Sequence, residues 1–157
     1  MVNVLFVCMG NICRSPMAEG IFRREIAKAG LQDKVQFDSA GTHSYHVGAP
    51  PDARAQGAIK KRGVDISDLR GRQVADADFD KFDYVLAMDS DNLRLLKHQA
   101  PDNKHEKIRL LLSFSPRYRN QQVPDPYYGG AHGFEENLDM IEDAVAGLIG
   151  EIERGIG

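Results

Sequence analysis

Val2-Asn3-Val4-Leu5-Phe6-Val7 runs directly into Cys8-Met9-Gly10-Asn11-Ile12-Cys13-Arg14-Ser15-Pro16, and the fold turns on how these two runs join. The first run is almost continuously apolar, as expected of a central parallel strand buried on both faces. The second ends where a helix should open. Serine is a favoured N-cap, and proline suits the first helical position because its missing N–H would be unpaired there. A short loop from strand end to helix start turns its backbone N–H groups toward a common cavity at the positive end of the helix dipole. Such a cavity is an anion site, with phosphate its usual occupant.

A thiol on the floor of that cavity changes its meaning. The donors and the dipole favour thiolate over thiol at Cys8. Arg14 offers a planar, two-pronged donor to two phosphate oxygens, which lysine does not. The N–H groups of Met9, Gly10, Asn11, Ile12, Cys13 and Arg14 complete the expected phosphate cradle. A thiolate facing a clamped phosphate is equipped for phosphoryl transfer through a covalent cysteine intermediate. Gly10 permits tight loop geometry, the Asn11 side chain can pin the loop, and Ser15 can cap the helix or donate to the thiolate. The plainer reading makes Cys8 an inert core thiol and Arg14 a solvated residue at a helix start. Agreement of strand, loop and helix signals favours the site.

Composition bounds the rest. A chain of 157 residues is expected to form a single domain over residues 1–157, with a core that needs no staples. Hydrophobic residues at 42% and charged residues at 27% are ordinary for a soluble globular protein. A net charge of −3 gives no reason to expect nucleic acid or a bilayer as partner, so positive potential should be local to the phosphate loop. No stretch approaches the ~20 apolar residues of a membrane span, and the apolar start lacks the marks of a secretory leader. Two cysteines without a framework point to a reducing compartment, the cytosol.

Strand and helix signals alternate, which favours an α/β fold with a parallel sheet. A helix is expected from Pro16 to about Ala29, stopped by Gly30. A second strand follows over Val35–Ala40, then a loop over 42–52. The next helix should run from about Pro51 to Arg62, with Gly63 as its stop. Lys81–Met88 reads as the third strand. Asp89-Ser90-Asp91 supplies caps for a helix to about Gln99, closed by Pro101. Ile108–Leu112 reads as the fourth strand, although its leucines leave helix open. Residues 113–133 read as loop-rich, and Phe134 to about Arg154 as a final amphipathic helix.

The run Cys8–Pro16 resembles the signature of the low-molecular-weight protein tyrosine phosphatases. The resemblance extends to Ser39-Ala40-Gly41-Thr42, Val85-Leu86-Ala87-Met88-Asp89 and Asp125-Pro126-Tyr127-Tyr128-Gly129, and so covers essentially the whole chain. It implies a three-layer domain: a four-stranded parallel sheet in order 2-1-3-4 with helices on both faces. It also implies hydrolysis of phosphotyrosine in proteins, and of small aryl phosphates, with no cofactor; the spacing of Cys8, Cys13, His43 and His46 matches no zinc pattern, so no metal is expected. Expelling a phenolate, whose conjugate acid has a pKa near ~10, requires a general acid. Pro124-Asp125-Pro126 on its own is more often a turn, but the resemblance assigns Asp125 to that role, with the same group then serving as base for water. It places Tyr45, His46, Tyr127 and Tyr128 around the mouth of the site as an aromatic and polar wall. Ser39 is either a strand-end turn residue or a hydrogen-bond partner of Asn11. For Cys13 two readings stand: a small hydrophobe behind the loop, or a redox partner that condenses with an oxidised Cys8. A monomer is expected, with a tyrosine-phosphorylated protein as substrate. The rival readings are an arsenate reductase, which would need a downstream cysteine pair, and a non-catalytic phosphate-binding module, which would have no use for a nucleophile.

Overall fold

β1 (Val2–Cys8) lies inside a four-stranded, all-parallel sheet in the order β2-β1-β3-β4. Its neighbours are β2 (Val35–Gly41) and β3 (Tyr84–Ala87), and the edge beyond β3 is β4 (Ile108–Leu110). The computed structural model describes residues 1–126 and 130–156, with side chains for all of these except 130–132. Val4 is in register with both Phe37 and Tyr84, and Val7 with both Ala40 and Ala87. The carboxyl ends of β1, β2 and β3 therefore emerge along one edge of the sheet.

Side-chain alternation on β1 builds the layers. Val4, Phe6 and Cys8 join a core with Met17, Ile21 and Phe22 of α1 (Arg14–Lys28) and Leu138, Ile141 and Val145 of α5 (Gly130–Ile156). Leu5 and Val7 join a second core on the other face. It contains Phe79 of α3 (Asp78–Lys81), Phe82 just after it, and Leu96 of α4 (Ser90–Gln99). α2 (Ala53–Lys60) adds Ala55 and Ile59 to the first core. The rings of Phe6 and Phe22 meet edge-to-face at 5.3 Å. Each such fully buried side chain contributes about 1.5–3 kcal/mol of transfer free energy, so both faces of β1 are strongly held and its end, Cys8, is fixed.

Several expected boundaries move. α1 starts at Arg14, one residue before the expected cap, and its N-cap residue Cys13 makes no side-chain capping bond. α2 is shorter than Pro51–Arg62, because the Asp52 carboxylate accepts from Arg54 N at 2.8 Å and fixes the start at Ala53. Lys81 belongs to α3 and not to a long third strand. That turn forms because Asp78 Oδ2 accepts from Ala75 N at 2.8 Å, while Phe79 and Phe82 enter the core. The fourth strand stops at Leu110, and Leu111–Phe114 is a 3-10 turn, so both signals in that leucine run are used in succession. α5 begins at Gly130, which takes the last turn out of the loop expected over 113–133. No helix among the described residues is long and apolar enough to cross a membrane.

Candidate active site

The loop between β1 and α1 closes around the Cys8 sulfur. Asn11 adopts a left-handed backbone, φ 58°, and its N–H points back at Cys8 Sγ at 3.3 Å. A non-glycine residue stays there only when its surroundings hold it. Here the Asn11 amide does so: Nδ2 donates to Ser15 Oγ at 2.8 Å and to Ser39 Oγ at 3.0 Å, and Oδ1 accepts from Arg72 N at 2.9 Å. Ser39 is thus the partner of Asn11. Gly41 allows the close approach of β2 to the loop, since a Cβ there would sit 2.7 Å from the Met9 carbonyl oxygen. Thr42 N and His43 N then donate to the carbonyls of Cys8 and Met9.

Ser15 is fully buried, 3.1 Å from Cys8 Sγ. Its hydroxyl faces the sulfur and makes no helix-capping bond. Because it already accepts from Asn11, its own proton is available to the sulfur, with the Ala40 carbonyl a more distant alternative at 3.5 Å. Ser39 in turn donates to Glu19 Oε1 at 2.7 Å. A continuous chain therefore runs from Glu19 through Ser39, Asn11 and Ser15 to Cys8. Burial, only partly offset by the Ser39 bond, pushes the Glu19 carboxyl up to about 7. Burial likewise pushes the Cys13 thiol up to about 12, aided by the negative charges of Asp52, Cys8 and Asp125.

Arg14 is 3% exposed. Its Nη1 donates to Asp89 Oδ2 at 2.6 Å and to the Val123 carbonyl at 2.9 Å. That leaves Nε and Nη2, the other edge of the fork, for a ligand. Burial opposes its charge, but Cys8, Asp89 and Asp125 outweigh burial and hold the guanidinium above its ordinary value. Asp89 has a double duty: its Oδ1 caps α4 by accepting from Asn92 N at 2.8 Å.

Asp125 reaches the same place from the far end of the chain. Val123 N donates to the Met88 carbonyl at the end of β3, and Asn137 Nδ2 of α5 holds the Pro124 carbonyl at 3.0 Å. A cavity of about 360 Å³ is lined by Cys8, Arg14, Asp125, His46, Asp52 and the loop residues Met9, Gly10, Ile12 and Cys13. His46 is in the wall, as expected. Tyr45 stands beside it, 74% exposed and stacked on His43 with ring centroids 5.3 Å apart. Tyr127 and Tyr128 lie outside the described residues.

Five residues of this constellation carry little local sequence signal for the parts they play around the loop: Glu19, Asp52, Arg72, Asp89 and Asn137. The i, i+4 spacing of Ser15 and Glu19 on α1 is a faint one, since it sets a carboxylate one turn behind the loop. Arg72 is fixed by Asp38 and by a two-pronged pair with Asp78, which aims its backbone N–H at Asn11.

Residues 3–156 match the family described as low molecular weight phosphotyrosine protein phosphatase. The low molecular weight protein-tyrosine-phosphatase YfkJ of Bacillus subtilis is 42% identical over 98% of this chain and 97% of its own. The human low molecular weight phosphotyrosine protein phosphatase is 43% identical over 85% of this chain and 84% of its own. Among solved structures, a protein tyrosine phosphatase of Entamoeba histolytica, crystallised with Hepes in its active site, superposes over the full length of both chains. It does so with a TM-score of 0.95 and 41% identity.

Proposed function

This chain belongs to the low molecular weight phosphotyrosine protein phosphatase family, and on that premise we propose which of its residues perform the hydrolysis. It is a cysteine-based protein-tyrosine phosphatase, acting on phosphotyrosine-containing proteins. Cys8 attacks phosphorus in line. The loop N–H groups and the Nε–Nη2 edge of Arg14 hold the equatorial oxygens, where contacts tighten as charge spreads in the transition state. Asp125 gives its proton to the departing phenolate. Its carboxylate then takes a proton from the water that attacks the phosphocysteine, releasing phosphate and regenerating the thiolate.

The observation that carries this reading is the convergence of Cys8, Arg14 and Asp125 on one cavity, with Arg14 Nη1 already tied down. The Entamoeba relative holds Hepes, a buffer that carries a sulfonate, in its active site, which supports an anion-binding site here. His46 and Tyr45, together with Tyr127 and Tyr128, would form the wall against the substrate ring. Both described cysteines are free, which supports a reducing compartment and hence the cytosol. One chain supplies Cys8, Arg14 and Asp125, so this reading needs no second subunit.

The test is a leaving-group series. Asp125→Ala should slow phosphotyrosine by ~10²–10⁴-fold and esters of strongly acidic phenols far less, while Cys8→Ser should abolish turnover yet retain phosphate binding. An equal loss across the series would remove Asp125 from the acid role.

A further inference from the structure

Far from the catalytic loop, α5 presents Gly147, Gly150, Glu151 and Arg154 at i, i+3, i+4 and i+7, one face of the helix. Asn137, which holds the Asp125 loop, is fourteen residues before Glu151, so this face lies about 21 Å further along the axis. Here α5 meets the segment that follows β4, and the two enclose a recess of about 340 Å³. Its polar wall is Arg109, Arg119, Arg154, Glu151 and Ser113, and none of these belongs to the machinery described above.

The recess is built for a particular kind of guest. Gly147 lines the recess, and α5 approaches Phe114 so closely there that any Cβ would collide with the Phe114 carbonyl oxygen. The Arg109 guanidinium carbon lies over the Phe114 ring, 4.2 Å from its centroid. A cation over an aromatic ring is attracted without using its N–H donors, and a guanidinium fork recognises phosphate by two parallel bonds. Nothing yet uses that fork fully. Its nearest carboxylate oxygen, Glu151 Oε2, is 3.9 Å away and already accepts the Tyr84 hydroxyl at 2.9 Å. The side chains of Arg119 and Arg154 make no hydrogen bond or ion pair among the described residues. In the same wall the Ser113 hydroxyl is buried without a partner, a cost relieved when an acceptor reaches it. Three guanidiniums against one carboxylate leave a surplus of two positive charges, on a chain whose net charge is −3.

We propose that this recess is a second oxyanion site that binds a dianionic phosphate group, free or as a monoester, between Arg109, Arg119 and Arg154. The site stands apart from the catalytic one and does not depend on how that one is read. Two positive charges in excess match a phosphate dianion, and the planar fork of a guanidinium favours its tetrahedral edge over a spherical anion such as chloride.

The test is a titration of the isotope-labelled full chain, followed by amide shifts at constant ionic strength set with chloride. Inorganic phosphate and phosphoserine are the probes. Each should move two separate groups of resonances: the catalytic loop, and a distal group spanning the segment after β4 and the last turns of α5. Arg119→Gln combined with Arg154→Gln should weaken the distal group by roughly tenfold or more, while catalytic-loop shifts and aryl phosphatase turnover persist and show that the fold is intact. Arg109→Lys, which keeps charge but loses the fork, should weaken it several-fold. The tighter of the two probes tells a free ion from an ester. Absence of a saturable distal group in the wild type, or an unchanged distal group in the double variant, would overturn the proposal.

Discussion

Glu19→Gln should make the protein more stable at alkaline pH, by an amount that the structure sets. Glu19 is 7% exposed, and burial raises its carboxyl from an ordinary 4.5 to about 7. In the unfolded chain the proton leaves near the lower value; in the folded protein it stays until the higher one. Between them the folded state binds more protons, so stability falls as pH rises from about 4.5 to about 7 and the full cost is present above that window. The span corresponds to about 3 kcal/mol. Glutamine keeps an oxygen for the Ser39 hydroxyl and cannot ionise, so it removes this pH dependence while preserving the bond that ends the chain to Cys8. Its added N–H₂ group imposes a constant offset at every pH, so the informative quantity is the change in the stability difference with pH. Urea unfolding of both proteins from pH 4 to pH 8.5 measures it. The difference should climb by about 3 kcal/mol in favour of the variant, or about 6–12 °C in melting temperature for a chain of this size. A difference that stays flat across the window would mean that Glu19 is not the buried acid that its surroundings make it.

Arg14→Lys should lower kcat by about 10²–10³-fold despite keeping its charge, because one ammonium cannot replace the Nε–Nη2 edge; near-normal turnover would refute the clamp. Asp89→Ala should do less damage to kcat but should also remove the α4 cap, at about 1 kcal/mol of stability, so both rate and unfolding midpoint should fall. Cys13→Ser tests the redox reading. After peroxide, wild type should recover with a thiol reductant through a Cys8–Cys13 disulfide, and the variant should go on to an irreversible sulfinic acid. Because Cys13 is pushed up to about 12, protection should strengthen from pH 7 to pH 9 as more of its thiolate forms. Equal recovery in both proteins leaves Cys13 as packing.

Those parts of the fold that rest on long, regular patterns were legible in the chain. β1 was readable because a run buried on both faces needs no alternation, and α1 because its apolar positions recur at helical spacing. Boundaries were less so, because they depend on partners distant in sequence. Ser15 has every local qualification for an N-cap, yet tertiary structure gives its hydroxyl to Cys8 and Asn11 and starts the helix earlier. The α3 turn forms because Asp78 can cap Ala75 while two phenylalanines find the core beneath β1, and neither fact is visible in Asp78–Lys81 alone. The leucines after Ile108 favour neither strand nor helix by themselves, and the chain uses them first as strand and then as 3-10 turn.

The site divides along the same line. Cys8 and Arg14 share one loop, so their relation is written locally. Asp125 could not be distinguished from a turn residue by its own neighbours and needed the family resemblance. Asp89 lies between these cases. In a parallel sheet with β3 beside β1, the residues just past each strand gather at the same edge, and ligands collect there. Val7 pairs with Ala87, so the segment after Ala87 has to pass close to the loop after Cys8. Strand order and this register bring Asp89 within reach of Arg14. Its capping role is the more visible one, and a single carboxylate has oxygens enough for both. Glu19 has only its spacing from Ser15 to announce it, since a buried carboxyl on an amphipathic helix looks like any solvated one until Ser39 is seen beside it. Chain topology thus points to the residues that surround the substrate, whereas those that stiffen the loop from behind emerge only from packing.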